Sequence, residues 1–174
     1  MRVAMSLRSK MPRRFGGLAA LMVLGAFVAV GCGGAGAAAN ISGVTFGGDD
    51  YDLKAGAGRP LVLNFWFPSC PPCVVELPDF QEAYERYGDR VDFLAVFLPS
   101  PVDTEERARA FIDRLGVEFP VITDIGATAQ IDYAVTSFPT TFFIRADREN
   151  IALRRGGQVP AEELEARILN LLNE

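Results

Sequence analysis

The sequence predicts an α/β domain with a central mixed sheet flanked by helices, and three observations carry that expectation. Residues 61–67 (LVLNFWF) and 93–98 are almost continuously apolar, which is how strands covered on both faces read. Between them, Cys73, Leu77, Phe80, Tyr84 and Tyr87 recur at helical spacing, so a helix crosses from one strand to the next. Beyond residue 98 helical and strand patterns alternate and end in two adjacent strands and a helix, which adds antiparallel pairs to the parallel ones.

At the start of the chain, residues 1–31 hold five basic side chains (Arg2, Arg8, Lys10, Arg13, Arg14), no acid, and an apolar run from residue 15 to 31. That is the layout of an export signal. The run closes on Ala29-Val30-Gly31 directly before Cys32, a junction that resembles the lipobox of bacterial lipoproteins. Cys32 is therefore expected to be the lipidated mature N-terminus. An uncleaved anchor or a soluble product is the alternative, and about 17 apolar residues is at the short limit for a spanning helix. Residues 32–43 are mostly Gly and Ala, a composition read as a flexible tether. The domain is expected over residues 44–174.

Within it, Val44 and Phe46, then Tyr51 and Leu53 after the turn at residues 47–50, alternate as a short hairpin. The first core strand leads into the helix opened by Cys70-Pro71-Pro72-Cys73, where a first-turn proline is tolerated, and Pro78 predicts a kink. Asp103 and Glu106 read as a capping pair for a second helix through Ala108, Phe111, Ile112 and Leu115. A strand at residues 117–122, a short helix at 127–134, strands at 140–144 and 151–155, and a last helix starting at Pro160 complete the order. Glu162 and Glu163 suit the positive end of that helix.

Without residues 1–31 the chain keeps 12 basic against 22 acidic residues, a net charge of −10. So acidic a surface argues against nucleic-acid partners. The chain has no histidine, which excludes His-based metal sites and catalytic triads. No metal or cofactor is expected.

Two cysteines three apart at a helix start can close a small disulfide loop, a geometry suited to reversible redox chemistry. Cys70 faces the positive helix end and the free N–H of Cys73, both of which favour thiolate. It is the expected nucleophile. Cys73, deeper on the helix, is placed to resolve a mixed disulfide. A zinc site would need a second CxxC or a histidine pair, and a purely structural bridge across so short a loop stabilises little.

Asn64-Phe65-Trp66, Ser69-Cys70-Pro71-Pro72-Cys73, Glu76-Leu77-Pro78 and Ser137-Phe138-Pro139-Thr140-Thr141 together resemble the thioredoxin superfamily in its TlpA/ResA-like branch, over roughly residues 44–172. The resemblance implies a thioredoxin fold with an N-terminal hairpin and an inserted α-β unit. It further implies a cis Pro139 beside the cysteines, whose neighbouring backbone pairs with the substrate strand, and a groove bordered by Ser69 and Phe138; Trp66 is a groove candidate, though Trp66 and Asn64 read more readily as core packing and a satisfied buried amide. Ser69 stands where that family usually has tryptophan, and Phe138 where a smaller residue is usual, so both bear on substrate choice. Glu76 corresponds to a glutamate near the active site, and Asn64 takes the place of thioredoxin's buried aspartate. With no histidine present, Glu76 is the nearest acceptor for the Cys73 proton.

The expected function is that of an exported, membrane-tethered thiol-disulfide oxidoreductase. Its expected partners are exported protein thiols and disulfides and a membrane-embedded redox partner, and the resemblance suggests a reductant's role in cytochrome c assembly. The reductant reading is favoured because Pro71 and Pro72 remove two N–H donors and no Lys or Arg lies between Arg59 and Arg86. The alternatives are a disulfide oxidase, a thiol peroxidase, whose PxxxTxxC signature is absent around Cys70, and a copper chaperone, since soft thiolates select Cu(I).

Overall fold

A computed structural model describes residues 36–174; the expected export signal and the lipidation site at Cys32 lie outside the described residues. A small hairpin, β1 (Ser42–Val44) with β2 (Asp50–Asp52), precedes β3 (Leu61–Trp66), α1 (Pro71–Tyr87), β4 (Asp92–Phe97), α2 (Glu105–Leu115) and β5 (Val121–Thr123). The chain continues through α3 (Thr128–Asp132), β6 (Thr140–Ile144), β7 (Ile151–Gly156) and α4 (Ala161–Leu172). The main sheet runs β5-β4-β3-β6-β7, with β3, β4 and β5 parallel and β6 and β7 antiparallel to their neighbours. This is the mixed sheet and the thioredoxin fold that the sequence predicts. No helix among the described residues is long and apolar enough to cross a membrane.

The nearly continuous apolar run of β3, interrupted by Asn64, is explained by the two layers it feeds. Val62 and Trp66 pack with α1, α2 and α4 on one face, while Leu61, Leu63 and Phe65 pack on the other with Ala129, Tyr133 and Val135. Among the described residues only the five-residue α3 covers that second face as a helix, which leaves room on it for residues 36–43.

Residues 36–43, read as tether, fill that room. Ala38 and Ile41 are buried against Leu53, Leu61 and Ile151. Their backbone is paired: Ala38 N donates to Glu149 O at 2.7 Å, Ile151 N to Gly36 O at 3.1 Å, Leu53 N to Ile41 O at 2.9 Å, and the Tyr133 hydroxyl to Ala39 O at 2.8 Å. The ordered domain thus starts at least eight residues before Val44. Small side chains suit a segment that must lie close on a sheet face, and composition alone reads that as flexibility.

Two local expectations change in detail. The strand placed at residues 117–122 is only Val121–Thr123. Helix α1 continues past Pro78 to Tyr87, held by a buried face of Leu77, Phe80 and Ala83.

Candidate active site

The site forms where β3 ends and α1 begins. Cys70 N donates to Phe67 O at 3.1 Å, closing a turn that makes Cys70 the N-cap of α1. Pro71 and Pro72 fill the first helical positions, where a missing N–H costs nothing. The first free amide is that of Cys73, which donates to Cys70 Sγ at 3.3 Å. Cys70 and Cys73 are joined in a disulfide with Cα atoms 5.3 Å apart. Cys70 keeps 4% of its surface accessible and Cys73 none. The expected order of accessibility holds, but the outer sulfur is nearly flush with the surface rather than prominent.

The antiparallel pairing of Phe65 with Thr140 carries residues 138 and 139 to the same end of the sheet. The Phe138–Pro139 bond is cis. Phe138, half-buried, meets Phe67 edge-to-face with ring centroids 5.1 Å apart. Phe67 O accepts from Cys70 N, and the exposed Ser69 directly precedes Cys70. Trp66 is fully buried and packs between Phe97 and Phe111. Its candidate place in the substrate groove is corrected, because its position in β3 points it into the helix-covered layer. Its Nε1 has no hydrogen-bond partner among the described residues.

Glu76 lies one turn beyond Cys73 and is fully buried. Its Oε1 accepts from Asn64 Nδ2 at 2.8 Å and its Oε2 from Val159 N at 2.8 Å. Asn64 Nδ2 also donates to Thr141 Oγ1 at 3.1 Å, while its Oδ1 has no partner among the described residues. Burial raises the Glu76 pKa to about 7, against the opposing pull of the two N–H donors and of Arg155. A carboxyl poised there can both take and return a proton near neutral pH.

Sequence reasoning missed Asp103. The cap of α2 is Thr104, whose Oγ1 accepts from Arg107 N at 3.3 Å. Asp103 instead turns toward the cysteine loop: Oδ1 accepts from Ser69 N at 2.8 Å, and Oδ2 from the Ser69 hydroxyl at 2.6 Å and the Ser100 hydroxyl at 3.3 Å. Position 103 looks like a helix start in sequence, and its partner is 34 residues away.

Comparison with known proteins agrees with this geometry. A family model described as AhpC/TSA matches residues 35–152. The thiol-disulfide oxidoreductase ResA of Halalkalibacterium halodurans is 33% identical over 111 residues, 63% of this chain and 61% of the relative. The chain therefore spans about three fifths of that relative's length. The crystal structure of StoA from Bacillus subtilis superposes with a TM-score of 0.66 at 28% identity, covering 74% of this chain and 96% of StoA. That of a thiol:disulfide interchange protein DsbE from Chlorobium tepidum gives 0.70 at 26% identity, covering 79% and 96%.

Proposed function

The chain belongs to the AhpC/TSA family, and from that premise we propose that it is a thiol-disulfide oxidoreductase of the ResA and StoA type acting on exported proteins. The observation that carries the reading is the Cys70–Cys73 disulfide at the start of α1, with a buried carboxyl one turn behind it.

In the reducing direction, the Cys70 thiolate attacks a substrate disulfide and forms a mixed disulfide, and one substrate sulfur leaves as thiolate. Cys73 then loses its proton, with Glu76 as acceptor, and attacks Cys70 Sγ. The second substrate sulfur leaves, and the substrate has gained the two electrons that the enzyme's new disulfide has given up. Phe67, Ser69, Phe138 and the backbone at Pro139 form the surface that receives the substrate strand.

The reductant direction is supported by how little stabilises the Cys70 thiolate. Within the first turn its N–H donor is Cys73 N, and Pro71 and Pro72 offer none. A strong oxidant needs the opposite. Export, lipidation at Cys32, tethering near a membrane-embedded redox partner and a part in cytochrome c assembly complete the proposal, motivated by the basic and apolar N-terminal segment.

The test is mixed-disulfide trapping. The Cys73→Ser variant should accumulate covalent complexes with exported proteins and Cys70→Ser should not; the reverse pattern would overturn the assignment. Equilibration against glutathione should give a potential near about −270 mV, and one near about −120 mV would make the protein an oxidant.

A further inference from the structure

Asp103 is 2% exposed, and its carboxylate accepts from donors at both oxygens, two of them on the residue that directly precedes Cys70. Buried carboxylates are costly unless fully hydrogen-bonded, and this one spends its bonds on the loop that carries the attacking sulfur. The cysteine loop otherwise has few restraints on that side: Ser69 is exposed, and Pro71 and Pro72 offer no amide hydrogens. We propose that Asp103 is a positioning residue for the exchange reaction: it fixes Ser69, and with it the Cys70 sulfur, and its negative charge restrains ionisation of the Cys70 thiol. The inference rests on Cys70 being the attacking thiol.

The charge effect follows from distance. Asp103 touches the backbone N of Ser69, and one Cα step of about 3.8 Å separates Ser69 from Cys70. That puts carboxylate and sulfur on the order of 7 Å apart. At an effective dielectric near 20, a unit charge at that range moves a thiol by about one pH unit or more. Among the described residues the other charged groups acting at this end are Glu76 on α1, with Asp79 of α1 and Arg155 of β7 acting on it, and Arg107 of α2. Arg107 Nη1 lies 3.8 Å from Asp103 Oδ1 and is half-exposed, so it offsets the carboxylate only in part.

The proposal is tested by titrating the Cys70 thiolate through its ultraviolet absorbance in a Cys73→Ser background, with the Cys70→Ser/Cys73→Ser protein as blank. Asp103→Asn keeps the shape and an acceptor but removes the charge, and should lower the midpoint by about one pH unit. Ser69→Ala keeps the charge and should leave the midpoint in place. Arg107→Ala should raise it, and this opposite shift carries the test if Asp103→Asn does not fold. In the dithiol protein, Asp103→Asn should favour the reduced form close to tenfold against glutathione at about pH 9, equivalent to about 30 mV, and leave the equilibrium unchanged at about pH 6, where neither protein is thiolate. A folded Asp103→Asn protein with an unmoved midpoint would overturn the proposal, and so would a Ser69→Ala shift as large as that of Asp103→Asn. Both readouts are independent of substrate trapping, so failure of the exchange reading is seen separately.

Discussion

Two buried polar clusters sit at opposite ends of the same sheet, and they are built on opposite principles. At the end away from the disulfide, Arg148 is 1% exposed. It donates to Arg59 O at 2.7 Å and Leu53 O at 3.3 Å and pairs with Asp92, which also pairs with Arg59. Gly56 passes so close that a Cβ there would lie 3.0 Å from the guanidinium. Arg148 even holds a left-handed backbone, φ 58°, uncommon for a residue with a side chain. Every charge in this cluster has a counter-charge or a carbonyl. At the disulfide end, among the described residues, Glu76 has two N–H donors and no cation in contact, and the amide that serves it has an oxygen with no partner. Balance marks architecture, and imbalance marks a group whose protonation can change.

Breaking the balanced cluster should have the largest effect on stability. Arg148→Met leaves Asp92 and two carbonyls without their main donor, and removing one member of a buried pair costs about 3 to 5 kcal/mol. Because Asp92 keeps Arg59 and is partly exposed, the lower end is expected. Urea unfolding reads the loss, and the redox potential should stay where it is. A loss under about 1 kcal/mol would show that Arg148 does not anchor this end.

Neutralising the unbalanced group should have a smaller effect, and one that depends on pH. The folded-state pKa of Glu76, about 7, lies above its ordinary value of 4.5, so the folded protein holds a proton that the unfolded chain has released. That stabilisation is complete below the unfolded pKa and is lost as pH rises through about 7. From about pH 5 to pH 8 the oxidised protein should lose roughly 2 to 3 kcal/mol. With no histidine in the chain and both active-site thiols in the disulfide, few other groups titrate in this window. Glu76→Gln should therefore flatten the profile, and its resolving step should slow by about a hundredfold as proton transfer is lost. An unflattened slope in denaturation curves would place the titration elsewhere.

How legible each cluster was in the sequence follows the reach of its contacts. Cys70, Cys73 and the helix they open are local and could be read from spacing, as could the two-faced strands β3 and β4. Glu76 was legible as one turn from Cys73, but its clamp by Val159, 83 residues on, was not. Asp103 was misread because a capping signature and a long-range anchor use the same residue type. Residues 36–43 were misread because Gly and Ala signal flexibility unless a sheet face waits to be covered. For Trp66 core packing is the stronger of the two sequence readings, and alternation along β3 does send it inward.

Asn64 sharpens the contrast most finely. Its Nδ2 donates to Glu76 and so favours the charged carboxylate, lowering the Glu76 pKa against the effect of burial. Asn64→Leu keeps the branched outline and removes that donor, the bond to Thr141 Oγ1 and the unpartnered Oδ1. Below about pH 5, with Glu76 protonated, the variant should be about as stable as the wild type, because neutral bonds are lost together with an unsatisfied oxygen. Above about pH 8 it should be less stable by about 1 to 2 kcal/mol, since a hydrogen bond to a charged group is the one missing. The midpoint of the pH-stability curve should accordingly rise from about 7 by about one unit. If the loss is equal at both ends and the midpoint stays, the amide turns over with the proton. Oδ1 then accepts from the protonated carboxyl, and the oxygen that has no partner in the charged state acquires one in the neutral state.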